Sequence, residues 1–261
     1  MKYDARSGGI IELPANKYVT SAMLEKLKKS YPKIETELSG TGAKISVQYL
    51  TPEEQLNLVV DIKFFAQNPY IPLEDLCASL DNYYPENDSQ QELLRYSRSL
   101  LELNSLERAA GLFIYGEPGI GKTHIATATA KEFMKRGLAP NYMSTSDTTK
   151  IMEVSTGQGL APGQVWIVDD LNSPYGIPIA AFKRIVLNAH NYGGIVFATS
   201  NTYYFDLMEN AFVAEEQERD RYMDRTKGMF KVLKVTGTSH REREAWHRVS
   251  EEFDATKPET W

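Results

Sequence analysis

The sequence predicts an α/β fold, a parallel sheet flanked by helices, preceded by a small, mainly helical N-terminal domain. Three observations predict it. GLFIYGEPGIGKTHIATATAKEF, residues 111–133, passes from an apolar run through a glycine-rich loop into a helical pattern. VWIVDD, residues 165–170, reads as a buried strand ending in two acids. From Gly111 onward short apolar runs alternate with helical segments, the order that builds a parallel sheet covered on both faces.

Pattern and composition change near residue 105, which divides the chain into residues 1–104 and 105–261. In the first part, Ser21 to Tyr31 places Leu24, Leu27 and Tyr31 at helical spacing and stops at Pro32. Ala43 to Leu50 alternates as a strand after the turn signal SGTG. Thr51-Pro52-Glu53-Glu54 is a capping box with proline at the first helical position, opening a helix to Asn68. PLEDLCASL begins a further short helix, and Asp88 or Ser89 caps a longer one.

In the second part, strands are expected at Leu112–Tyr115, Tyr142–Ser144, Val165–Val168, Ile195–Thr199 and Lys231–Thr236. Helices are expected at Thr123–Arg136 and Ile179–Tyr192. The connection from Tyr142 to Trp166 has room for one short helix.

Composition narrows the function classes. Hydrophobic residues make up 42% and charged residues 25%, ordinary for a soluble domain. No run of about 18 apolar residues suggests a membrane span, and the first residues lack an apolar signal core, so a cytoplasmic location is expected. Cys77 is the one cysteine and there are 4 histidines, a poor basis for a disulfide or a structural zinc site. The net charge is −6. Lys and Arg number 8 against 5 acids in residues 1–50 and 10 against 13 in residues 201–261, so no segment is a basic block announcing tight nucleic-acid binding.

Gly116-Glu117-Pro118-Gly119-Ile120-Gly121-Lys122-Thr123 satisfies G-x-x-x-x-G-K-[ST] in full, in the strand–loop–helix context that a phosphate-binding loop requires. Its glycines let backbone N–H groups curl around phosphate oxygens at a helix N-terminus. Lys122 is expected to reach the β- and γ-phosphates, and Thr123 to offer its hydroxyl to Mg²⁺. The ligand read from this loop is ATP with Mg²⁺.

Asp169 is the candidate second Mg²⁺ residue, and Asp170 the group that orients or activates water; the plainer reading of Asp170 is a turn or cap residue. GGIVFATSN ends at Asn201, placed at the tip of a strand between the two preceding ones, where it would polarise the hydrolytic water; Thr199 is the lesser candidate. Arg219, Arg221, Arg225, Arg241 and Arg243 are solvated charges unless a phosphate lies near. NYYPEN, residues 82–87, reads as a packed turn, Trp166 as a sheet-packing residue, and Lys26, Lys28 and Lys29 as a solvated helix face.

Together GLFIYGEPGIGKTHIA, VWIVDDL, FATSN and MDRTKGMFKVLKVTGTSHR resemble the AAA+ P-loop ATPases, most closely the DnaC/IstB branch of helicase loaders and transposition helpers. The resemblance covers residues 105 to about 245 and includes His124, directly after the Lys-Thr pair. It implies that Arg225 is an arginine finger acting in trans and that Arg241 approaches the γ-phosphate. The 20 residues after Arg241 leave a lid that is absent or reduced to one helix. It also implies an ATP-dependent homo-oligomer in DNA replication, with residues 1–104 engaging a helicase or a transposase-like protein. Single-stranded DNA stays open as a partner. The alternatives are an IstB-like transposition helper acting on DNA and a nucleotide-gated protein-binding adaptor.

Overall fold

A computed structural model describes residues 2–4, 9–15, 17–103, 105–171, 178–211 and 216–240. Helix α1 (Ser21–Ser30) starts where the Thr20 side chain accepts from Met23 N, and it buries Met23, Leu24 and Leu27. Helix α2 (Pro52–Gln67) opens on the full capping box: the Glu54 N–H donates to the Thr51 hydroxyl, and the Thr51 N–H to the Glu54 carboxylate. Helix α3 (Asp88–Leu101) is capped by Asn87, one residue before the expected Asp88 or Ser89. PLEDLCASL yields only a 3₁₀ turn, Leu73–Asp75, in place of the expected helix. Cys77 just beyond it is buried, and burial raises its thiol pKa to about 11.

Beside these helices lies an antiparallel sheet of β1 (Lys2–Asp4), β2 (Ile10–Pro14), β3 (Glu35–Ser39) and β4 (Gly42–Ser46), in the order β1-β2-β4-β3. Only β4 announced itself in the sequence, and it stops at Ser46 rather than Leu50. The reason is physical. Strand β2 buries just Ile11 and Leu13, and β3 is almost wholly exposed, so neither shows a long alternation.

The second sheet holds β5 (Ala109–Tyr115), β6 (Asn141–Met143), β7 (Gln164–Leu171), β8 (Gly194–Ser200) and β9 (Phe230–Lys234). Its order is β6-β7-β8-β5-β9 and every pairing is parallel. Strand β8 lies between β5 and β7, as expected for the strand carrying Asn201. The other helices are α4 (Lys122–Lys135), α5 (Thr148–Ser155), α6 (Ile179–Tyr192), α7 (Tyr204–Ala211) and α8 (Glu216–Lys227). Helix α5 is the one short helix for which the β6–β7 connection has room.

Both faces of this sheet are covered, so its strands read as continuous apolar runs. Leu112 and Ile114 of β5 point into one core with Ile125 and Ala128 of α4, while Phe113 points into the other with Phe182 and Ile185 of α6. Trp166 is buried in the second core. The first core runs without a break from Ile11 and Leu27 through Leu58 and Leu93 to Leu233. Helices α2 and α3 pack on α4, and α3 also touches β5 and β9. Residues 52–103 are therefore a layer on the sheet that carries the glycine loop.

Candidate nucleotide site

The loop between β5 and α4 has the backbone that its glycines permit. Gly116 has φ 150°, and a Cβ there would lie 2.1 Å from the Val235 carbonyl oxygen. Gly121 has φ 88°, caps α4, and sits under the Tyr83 ring, which a Cβ would approach to 3.1 Å. Between them Ile120 is buried and anchors the loop in the core. Glu117 and Pro118 are exposed. The His240 N–H donates to the Gly119 carbonyl at 2.9 Å, so the chain beyond β9 returns to the loop.

Lys122 is buried, its ammonium donating to the carbonyls of Gly116 and Glu117 at 2.7 Å each and to Asn201 Oδ1 at 3.0 Å. Loop lysine and β8 tip are thus in direct contact. The Thr123 hydroxyl donates to Asp169 Oδ1 at 2.8 Å, and the Thr199 hydroxyl to the same oxygen at 2.6 Å. Thr199 also accepts from the Asp170 N–H at 2.9 Å. The residue ranked second at this strand tip therefore organises both acids.

Strand alternation should send Asp169 and Asp170 to opposite faces. The β7–β8 register shifts between Val168 and Leu171, and Asp170 has φ 60°, a left-handed conformation uncommon outside glycine. With that break, buried Asp169 and exposed Asp170 both line one cavity of about 880 Å³. Lys122, Thr123, Thr199 and Asn201 line it too, within the size range of small-molecule sites.

The other wall comes from before residue 105. Lys26 and Lys29 of α1, Cys77, Asn82 and Tyr83 line the same cavity. NYYPEN is the packed turn expected, and what it packs on is the glycine loop. His124 Nε2 lies 2.8 Å from Asn82 Oδ1, and its ring stands 5.9 Å from that of Tyr83. Burial lowers the His124 pKa to about 4, although the Ser79 carbonyl pulls the other way. The Asp75 carboxylate stands 3.8 Å from His124 Nδ1, but burial outweighs it, so the neutral ring makes no ion pair at pH 7.

A family model, IstB-like ATP binding protein, matches residues 77–171. The chain resembles the DnaC/IstB-like AAA+ ATPases. The IstB-like region includes the Tyr83 wall, the glycine loop and both acids. Among solved structures, that of the DnaI is 20% identical with a TM-score of 0.53, covering 68% of this chain and 98% of that one. A putative primosome component from Streptococcus pyogenes serotype M3 is 21% identical with a TM-score of 0.54, covering 69% of this chain and 97% of that one. These likenesses show the P-loop AAA+ fold. A search of the curated proteins gives no match.

Of the residues expected to act together, the IstB-like loop, His124, Asp169, Asp170 and Asn201 come to one place. Arg225 does not. It is exposed on α8 and is not among the residues lining the cavity. Arg241 lies outside the described residues. Among those described, no three His, Cys, Asp or Glu side chains gather to hold an ion. The donor set fits Mg²⁺ nonetheless, since that ion takes one or two protein oxygens plus phosphate oxygens, here Thr123 and Asp169. No helix among the described residues is long and apolar enough to cross a membrane.

Proposed function

We propose that this chain binds and hydrolyses ATP with Mg²⁺ as a loader-like AAA+ protein serving a replicative helicase. The observation that carries this reading is the paired contact of Lys122 with Asn201 and of Thr123 with Asp169 on one cavity. Lys122 and the loop N–H groups would hold the phosphates. Thr123 and Asp169 would hold Mg²⁺, which offsets phosphate charge when bound. Asp170, exposed at the cavity, would orient water or take its proton, and Asn201 would report the γ-phosphate through Lys122.

Exposed Arg225 would complete the site of a neighbouring copy, making hydrolysis depend on assembly into a homo-oligomer. Residues 1–104 would engage the partner protein. Lys26 and Lys29 of α1 line the nucleotide cavity, so a partner bound on this helix would be felt at the nucleotide. The Streptococcus pyogenes relative, described as a putative primosome component, supports a replicative role.

The IstB-like family match favours a second reading, a transposition helper on DNA. A total of 29 basic against 35 acidic residues counts against a filament on duplex DNA. The deciding experiment measures ATP turnover alone, with single-stranded DNA, with duplex DNA and with a replicative helicase. Stimulation by helicase supports the loader, and stimulation by duplex DNA alone supports the helper. No turnover under any condition, even with Mg²⁺, contradicts the ATPase reading.

A further inference from the structure

Tyr142 is the middle residue of β6, an edge strand of the five-stranded sheet, and is 2% exposed. Its hydroxyl donates to Asp169 Oδ2 at 2.6 Å. The other carboxylate oxygen, Oδ1, accepts from Thr123 and Thr199. The two oxygens are therefore divided: one faces the glycine loop and β8, the other is tied to β6.

The backbone of Tyr142 is itself fixed. Its N–H donates to Asn68 Oδ1 at 2.7 Å, where Asn68 ends α2, and its carbonyl accepts from Lys150 Nζ of α5 at 2.9 Å. A phenylalanine would fill the same space without burying a hydroxyl, and a buried hydroxyl is costly unless it is partnered. Here the partner is the Asp169 carboxylate, which also accepts from Thr123 of the glycine loop.

We propose that Tyr142 is a positioning residue for a divalent cation, holding the Asp169 carboxylate so that Oδ1 faces Thr123 before any ion arrives. The proposal rests on the nucleotide-site reading above. Loss of a partner that orients a metal-binding carboxylate typically costs about 10–100-fold in metal affinity. Tyr142 acts through Asp169 and touches neither phosphate nor water in this role.

The test is a titration of mant-ATP into wild type and Tyr142→Phe, in EDTA and across a range of Mg²⁺ concentrations, with thermal unfolding recorded alongside. Expected is an affinity in EDTA within about twofold of wild type and a Mg²⁺ half-saturation raised roughly tenfold. In an Asp169→Asn background the same substitution should change nothing further. An unchanged Mg²⁺ half-saturation in Tyr142→Phe overturns the proposal, as does an equal shift in both backgrounds. If Tyr142→Phe does not fold, Tyr142→Met, which also removes the donor, takes its place and must show a comparable rise; no rise overturns the proposal. Wild type that binds mant-ATP without any response to Mg²⁺ defeats the proposal and leaves nucleotide binding standing. Wild type that binds no mant-ATP defeats both.

Discussion

The Lys131 ammonium of α4 lies 2.8 Å from the Asp61 carboxylate of α2, with both side chains buried. Asp61 also accepts from the Tyr31 hydroxyl at 2.7 Å, and Lys131 reaches the carbonyls of Asp75, Leu76 and Ala78. One ammonium thus fastens the helix that follows the glycine loop to the N-terminal helices and to the segment walling the nucleotide cavity.

Lys131→Met should therefore be among the most damaging single changes. It leaves the Asp61 carboxylate buried without its counter-charge, a state that costs about 3–5 kcal/mol. Urea unfolding of Lys131→Met, of Asp61→Leu and of the double variant measures the coupling. The double variant should be less destabilised than the sum of the singles. Strict additivity would mean that the pair does not act as a unit.

Asp170 combines backbone strain with the proposed role in orienting water. At φ 60° it holds a conformation that glycine adopts freely, so Asp170→Gly should gain about 1 kcal/mol in denaturant unfolding. The same change should abolish ATP turnover while leaving nucleotide binding intact. A destabilised Asp170→Gly would show that the carboxylate, rather than the backbone, holds the bulge in place.

His124 gives a pH dependence whose sign follows from burial. Its folded pKa of about 4 lies below the ordinary value near 6.5. Above pH 6.5 the ring is neutral in both states and contributes no slope. As pH falls from 6.5 towards 4 the unfolded chain takes up the proton and the folded one does not, so stability declines; below pH 4 the loss is complete. Relative to His124→Gln, wild type should lose roughly 1 kcal/mol between pH 7.5 and pH 5.5 in urea unfolding. Parallel stability curves for the two proteins would place the ring in water.

The layout of the candidate site was legible because its parts are local. Gly116 to Thr123 and the Asp169-Asp170 pair are short patterns whose physics needs only a strand before and a turn or helix after. The placement of Asn201 followed from the sheet order that such patterns bring. What escaped was long-range. Tyr142 meets Asp169 across 27 residues, and Lys131 meets Asp61 across 70, through packing that leaves no periodic trace. The N-terminal sheet escaped for another reason: Ile11 and Leu13 are too few to make an alternation, and β3 buries almost nothing. Tyr83 was read correctly as part of a packed turn, yet only folding reveals that the turn covers Gly121.

The central claim is that Lys122, withdrawn from its own loop carbonyls, holds the phosphates of ATP. Its most direct measurement is calorimetric titration of ATP with Mg²⁺ into wild type and Lys122→Ala, with both shown to be folded. The account predicts saturable binding to wild type and none to the variant at the same concentrations. Equal affinity for the two proteins would contradict it.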